Sequence, residues 1–352
     1  MAHSIRWRRC EWIATTWILC VSVPLLAADD TGSVVGLAFT GRLVANLDQS
    51  VAFYEALGFE RDPATADSPW RQDKVIEQLY GVHGVETRMA KMSINSNVSG
   101  GRFVVYLREV RGLARNNLSV HAAWEPGATH FGLVVPDAQA LWAQLRKTGM
   151  LRARSWGEEL VAPPGVTPGQ LAYVTDPDGL DIEIIAAAPA VPASDGNPAR
   201  PARPPGVSHV GLIVSDSDKA RAFYSGLLGG IWQATEAPWR QGNFFDSAVG
   251  GHGNILRFFN FAFAEAYAPD SRLNLELGEF QNRTKLPLER RITDIGVAYF
   301  GFEVRNLDAF VERALAAGAT PVADTGIVTM QSGTREIMLR DPDTGAFVLL
   351  FE

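Results

Sequence analysis

Two apolar stretches of the sequence each carry a glutamate out of step with its aliphatic neighbours. In Leu273-Asn274-Leu275-Glu276-Leu277 the leucines share one face of an extended chain and Glu276 lies on the other. In Leu180-Asp181-Ile182-Glu183-Ile184 the same alternation sets Glu183 opposite the aliphatic row. A carboxylate on the inner face of a sheet is costly unless something pairs with it. Two histidines, His130 and His209, begin strand-like runs, with Gly132 and Gly211 next on the same face. A glycine there leaves room above the sheet for a metal ion or a ligand. Carboxylates and imidazoles serve proton transfer or ligation of a divalent cation. A single such residue carries neither reading, because a histidine at a strand start is more often a hydrogen-bonded structural group.

Pro238-Trp239-Arg240-Gln241 is a second candidate element. Trp239 and Arg240 could clamp an anionic or aromatic substrate, since a guanidinium fork matches a carboxylate, and His252 is a further candidate contact. The element has a copy at Pro69-Trp70-Arg71-Gln72, and His252-Gly253 has one at His83-Gly84, both at an offset of 169 residues. That repetition fits a structural role for Trp and Arg equally well. Phe244, Phe245, Phe258 and Phe259 either wall an apolar pocket or fill the core.

The repetition extends along the chain. Phe53-Tyr54 returns as Phe223-Tyr224, Thr129-His130-Phe131-Gly132 answers to Ala298-Tyr299-Phe300-Gly301, and Asp176-Pro177-Asp178 answers to Asp341-Pro342-Asp343. Each half divides again into two quarters that open with a strand and continue into a helix. The strands are expected near Leu37–Val44, His130–Val135, His209–Val214 and Phe300–Val304. The first helix starts from Asp48, buries Val51, Tyr54 and Leu57, and ends at Gly58. The second starts at Asp137, carries Leu141 and Leu145, and stops at Gly149. The third runs through Phe223, Tyr224 and Leu227, and the fourth through Phe310, Val311 and Leu315 to Gly318. The second and fourth quarters close with an Asp-Pro-Asp turn into a last apolar strand.

A strand, a helix carrying Phe-Tyr and Leu-Gly, and a final strand after Asp-Pro-Asp-Gly resemble the vicinal oxygen chelate superfamily, which includes glyoxalase I, methylmalonyl-CoA epimerase, extradiol dioxygenases and bleomycin-resistance proteins. The resemblance covers nearly all of the chain after its leader. It implies an α+β fold of four βαβββ modules in two tandem glyoxalase-like domains, with strongly curved mixed sheets forming half-barrels. It also implies that two modules close over a divalent metal, each offering one ligand from its first strand and one from its last.

Carried onto this chain, the first-strand positions are Phe39, His130, His209 and Tyr299, and the last-strand positions are Tyr106, Glu183, Glu276 and Leu349. Modules one and four have lost both ligands; modules two and three keep both. Pairing module one with two and three with four would leave one His and one Glu per site, fewer than a catalytic metal usually takes. Pairing module two with three brings His130, Glu183, His209 and Glu276 together, and leaves modules one and four to form a metal-free aromatic pocket. The resemblance thus implies one divalent ion, Zn, Ni, Co, Mn or Fe, held by oxygen and nitrogen. Glu183 or Glu276 would serve as the base for a proton α to a carbonyl.

The chain has 352 residues, 47% of them hydrophobic, and a net charge of −7. This excludes disordered, collagen-like and multi-span membrane classes and offers no basic surface for nucleic acid. Arg6, Arg8 and Arg9 precede a short apolar run from Ile13 to Ala27, and residues 1–28 are expected to be a Sec-type signal peptide. Both cysteines, Cys10 and Cys20, lie within it, so no disulfide or thiolate site is expected in the mature protein. The expected domains are 34–187 and 207–352, joined by a Pro/Ala-rich linker at 188–206. The product is expected to be periplasmic or secreted, without stable membrane insertion, and duplication removes any need to dimerise.

Three functions follow from the resemblance. The first is a metal-dependent lyase or isomerase of the glyoxalase type, acting on a small vicinally oxygenated substrate through a metal-stabilised enolate. Export argues against a glutathione or CoA substrate. The second is an Fe(II) extradiol-type dioxygenase, against which Tyr299 and Leu349 count, because those enzymes place ligands there. The third is a non-catalytic small-molecule-binding protein of the resistance type, for which the aromatic pocket speaks.

Overall fold

The computed structural model describes residues 32–97, 101–156, 160, 171–187, 205–232, 237–263, 273–283 and 289–352. The expected signal peptide and almost all of the linker lie outside them. Module one comprises β1 (Ser33–Val44), α1 (Leu47–Ala56), β2 (Glu60–Arg61), β3 (Arg71–Gln72), α2 (Lys74–Tyr80), β4 (Glu86–Asn95) and β5 (Arg102–Arg111). Module two comprises β6 (Thr129–Val135), α3 (Ala138–Lys147), β7 (Leu171–Thr175) and β8 (Asp181–Ala186). Module three comprises β9 (Gly206–Val214), α4 (Ser217–Gly226), β10 (Gly230–Trp232), β11 (Arg240–Gln241), α5 (Asn243–Val249), β12 (Ile255–Phe263) and β13 (Asn274–Phe280). Module four comprises β14 (Ala298–Arg305), α6 (Leu307–Ala316), β15 (Thr320–Pro321), β16 (Val328–Thr329), β17 (Arg335–Arg340) and β18 (Phe347–Phe351).

The helix after each first strand is capped by a side chain. Asn46, Asp137, Asp216 and Asn306 each accept from a backbone N–H of the first turn, satisfying a donor the helix leaves orphaned. Gly58, Gly149 and Gly318 follow three of these helices with positive φ, a backbone that glycine adopts without a Cβ clash. Two details differ from the sequence reading. Leu315 is 41% exposed, and α6 instead buries Leu307, Phe310, Val311 and Ala314. His209 stands inside β9 rather than at its start.

The first strands set the architecture. β1 pairs antiparallel with β14, and β6 with β9. One sheet therefore joins modules one and four in the order β15-β17-β18-β14-β1-β5-β4-β2; the other joins modules two and three in the order β10-β12-β13-β9-β6-β8-β7. Within every module the last strand lies parallel beside the first. Both sheets are strongly curled. Helices α1, α3, α4 and α6 pack in one core that takes Tyr54, Phe131, Leu212, Phe302 and Phe310 from all four modules, whereas α2 and α5 pack in two smaller clusters.

The Asp-Pro-Asp turns bind each half together across the two sheets. Asp178 accepts from Ala45 N and Ser50 Oγ of module one at 2.7 and 2.8 Å, and Asp343 accepts from Ser215 N of module three at 2.9 Å. Asp176 takes Arg42 Nη2 at 2.9 Å, with both side chains almost fully buried. Burial and the neighbouring Asp176 push the Asp178 carboxyl up to about 6. Among the described residues, no helix is long and apolar enough to cross a membrane.

Candidate metal centre

The β6–β9 register places His130 opposite Gly211 and Gly132 opposite His209. The parallel neighbours place Glu183 opposite Gly132 and Glu276 opposite Gly211. Histidine and glutamate thus rise on both sides of each glycine, on the concave face. The glycines are obligatory here: a Cβ on Gly211 would lie 1.9 Å from His130 Cε1, and one on Gly132 would lie 2.3 Å from His209 Cε1. The space that the sequence reading left for a ligand is taken by the imidazole of the other half.

The imidazoles meet Nε2 to Nε2 at 3.2 Å. His130 Nε2 is 3.4 Å from Glu276 Oε1, and His209 Nε2 is 3.3 Å from Glu183 Oε2. His130, His209 and Glu276 form the tight cluster, their ligand atoms all within 4.8 Å of one another. Glu183 stands to one side of it, against His209. The Ser208 hydroxyl, 2.9 Å from His209 Nδ1, is also 3.2 Å from Gly132 O. With its one proton given to the carbonyl, the hydroxyl accepts from Nδ1–H, which leaves the Nε2 lone pair pointing into the cluster. Asn260 Nδ2 donates to Glu276 Oε2 at 3.4 Å. Burial pushes the Glu276 carboxyl up, but His209, His130 and Asn260 outweigh it and hold the group below the usual carboxylate range.

Tyr173, opposite Glu183 on β7, packs edge-on to His130 at 5.9 Å. Burial, then Glu183 and Glu276, raises its hydroxyl well above the usual range, so the ring stays a neutral phenol. A hollow of about 320 Å³ adjoins His130, walled by Thr129, Tyr173, Ile213, Phe258 and Phe280. Ser208, Asn260, Tyr173 and Phe280 had no signal of their own in the sequence; each is placed by register against a residue that had one. Phe259 is core, on the opposite face.

Trp239, Arg240 and His252 do not line this hollow. Trp239 is 38% exposed and lies under the Arg257 guanidinium at 4.5 Å. Arg257 in turn donates to Glu279. Its copy Trp70 lies under Arg88 at 5.1 Å, and Arg88 donates to Glu109. Arg240 is exposed on β11, and the His252 ring packs on Trp156 at 3.7 Å.

The donor set fits a divalent ion. Nitrogen and oxygen donors about 2.1 Å from a common ion and roughly at right angles lie about 3 Å apart, close to the separations of the two imidazoles and of each from its carboxylate. Facing lone pairs at such distances repel unless a proton or a cation stands between them. His130, His209 and Glu276 would hold the ion, with Glu183 within reach of the same space.

Two crossed half-barrels, one with converging His and Glu side chains and one without, define a tandem member of the vicinal oxygen chelate class. Residues 36–184 and 208–337 each match a family model described as Glyoxalase/Bleomycin resistance protein/Dioxygenase superfamily, and the chain belongs to that superfamily. Its members include metal-dependent glyoxalases, dioxygenases and resistance proteins, and they act on small molecules. Among solved structures, a glyoxalase I variant from Zea mays is 16% identical, with 91% of this chain and 92% of that chain covered and a TM-score of 0.53. A putative dioxygenase from Bacillus subtilis is 13% identical, with 91% and 85% covered and a TM-score of 0.46. The likeness to the Zea mays structure is of fold. No curated protein matches the chain.

Proposed function

We propose that the protein is an exported, metal-dependent lyase or isomerase of the glyoxalase type, acting on a small substrate with vicinal oxygens. The observation that carries this reading is the clustering of His130, His209 and Glu276 from the two halves of the chain, with Glu183 beside His209. A divalent ion bound there supplies Lewis acidity for the negative charge that develops on the substrate's adjacent oxygens. His130, His209 and Glu276 hold the site, and Ser208 and Asn260 fix the orientation of His209 and Glu276.

The asymmetry between the glutamates separates their roles. Glu276 is fastened by His130 and Asn260; the Glu183 carboxylate has His209 as its ion-pair partner among the described residues. Glu183 is the proton carrier, taking the proton α to the carbonyl on a carboxylate oxygen and returning it to the neighbouring carbon. Tyr173 lies opposite Glu183 on β7, and with Phe258 and Phe280 it walls the hollow beside His130. Residues 1–28, with their basic start and apolar run, direct the chain out of the cytoplasm.

A second reading rests on the tight cluster alone. Two histidines and one carboxylate are also the ligand set of Fe(II) oxygenases, which would make the protein a dioxygenase. The test is to incubate the metal-loaded protein with 2-hydroxycarbonyl compounds and with catechols, following deuterium uptake from D2O and oxygen consumption together. Deuterium uptake without oxygen consumption, abolished in Glu183→Gln, is expected. Oxygen consumption with a catechol would replace this reading with the second, and neither signal from a metal-loaded protein would leave a binding protein of the resistance type.

A further inference from the structure

The sheet of modules one and four encloses a cavity at the place equivalent to the metal centre. The register repeats position for position: Phe39 lies opposite Gly301, Tyr299 opposite Gly41, Tyr106 opposite Gly41 and Leu349 opposite Gly301. Phe39 and Tyr299 rise over glycines as His130 and His209 do, with a Cβ on Gly301 only 2.4 Å from Phe39 Cζ and one on Gly41 only 1.9 Å from Tyr299 Cζ. Loss of the ligands did not fill the space. About 920 Å³ between atoms, part of it open to solvent, remains here, against about 320 Å³ beside His130.

This cavity is not merely apolar. Arg108 of β5 and Glu336 of β17 both line it. No carboxylate lies within ion-pair distance of Arg108 among the described residues. Its contacts are weak, to Thr87 Oγ1 at 3.4 Å and Met89 Sδ at 3.5 Å, with the neutral Tyr80 hydroxyl nearby. Its Nε is buried without a partner. A guanidinium taken from water and left short of acceptors is expensive. Among the described residues Glu336 has no partner at ion-pair distance either, and Arg108 acts on it through space. Phe39, Tyr106, Met330 and Leu349 give the same cavity an apolar lining. A second groove, of about 760 Å³, shares Met89, Arg108, Met330 and Ser332 with the cavity and adds Arg71 and Arg88. Asp73 lines the same groove and Arg88 is paired with Asp48 and Glu109, so Arg71 and Arg108 are the arginines of the approach without a carboxylate partner among the described residues.

We propose that this cavity is a second, metal-independent binding site for a small zwitterion with an apolar body, of the chemistry of an aromatic or branched α-amino acid. The ligand's carboxylate pairs with Arg108, replacing the acceptors the guanidinium lacks. Its side chain packs on the apolar wall that the Phe39–Tyr106 edge pair forms with Met330 and Leu349, and its ammonium or amide N–H faces Glu336. A guanidinium and a carboxyl that line one cavity beside an apolar surface match a molecule that carries the complementary pair and an apolar body. The site stands on the module one and four sheet alone and does not depend on the function proposed for the metal centre.

The test is calorimetric titration of the full mature chain with phenylacetate, L-phenylalanine and phenethylamine at pH 8, where Glu336 is charged. Saturable binding of L-phenylalanine is expected, tighter than phenylacetate, with phenethylamine weakest. Arg108→Met should weaken both carboxylates at least tenfold, and Glu336→Gln should remove the advantage of L-phenylalanine over phenylacetate. His130→Ala should change neither affinity. Absence of saturable binding by all three probes, or binding insensitive to Arg108→Met, would overturn the proposal. Binding lost in His130→Ala would assign the probes to the metal centre instead and equally overturn it. Arg108→Lys, which keeps a charge but not the fork, serves as the control should Arg108→Met fail to fold.

Discussion

His130 stands over Gly211 of the other half of the chain, and His209 stands over Gly132, two positions along the same strand pair. Each half therefore supplies the clearance for the other's imidazole. Gly211→Ala and Gly132→Ala should each push a histidine aside and weaken divalent metal binding at least tenfold, measured by competition with a chromophoric chelator. Gly41→Ala and Gly301→Ala make the equivalent collisions with Tyr299 and Phe39 and should leave metal affinity unchanged.

Ser208 and Asn260 orient ligands without belonging to the cluster. Outer partners of metal ligands typically contribute tenfold to a hundredfold in affinity. Ser208→Ala and Asn260→Leu should lower metal affinity within that range while the melting temperature of the metal-free protein stays within a few degrees. A loss of metal-free stability instead would make both residues structural.

The approach of His130, His209 and Glu276, with Glu183 beside them, was legible because strand alternation and the internal repeat both survive in the sequence. Glu183 and Glu276 break an aliphatic row, and the same positions in the other modules are Tyr106 and Leu349. The crossed pairing followed only by counting ligands, because β6 and β9 meet from opposite halves and nothing local marks their register. Arg42 was invisible: it is the buried partner of Asp176, from a different module, and its strand carries no pattern that asks for a cation. Leu315 misled because helical periodicity marks a stripe and not its edge, and α6 turns Ala314 rather than Leu315 inward. Arg108 and Glu336, on strands of modules one and four, become neighbours of one cavity only when those strands curl.

The Arg42–Asp176 pair ties module one to module two. Both side chains are essentially buried, and Tyr54 also donates to Asp176 at 3.2 Å. Removing one partner of such a pair leaves an uncompensated charge, at a cost of about 3–5 kcal/mol. Asp176→Ala should lower the urea midpoint accordingly. An unchanged midpoint would show that the pair contributes nothing to holding the modules together.

Burial lifts the Glu336 carboxyl from 4.5 to about 7, with Arg108 pulling it partway back; Tyr80, Tyr106 and Tyr299 are the other titratable groups near it. The folded protein then keeps a proton that the unfolded chain has released, so this group stabilises the fold at low pH. Its contribution is lost as pH rises through about 7. In low salt the difference between pH 4 and pH 8 is on the order of 2 kcal/mol. Glu336→Gln should be the more stable protein at pH 8 and remove that part of the slope; an identical slope in variant and parent would refute the assignment.

The most direct measurement is the metal content of the mature protein, purified without an affinity chelator, beside His130→Ala and His209→Ala. About one divalent ion per chain in the parent, lost in each variant separately, is the predicted result, because the two histidines come from different halves and share one ion. An ion retained at full stoichiometry in either variant, or a parent that takes up no metal even when supplied with it, would contradict the crossed centre.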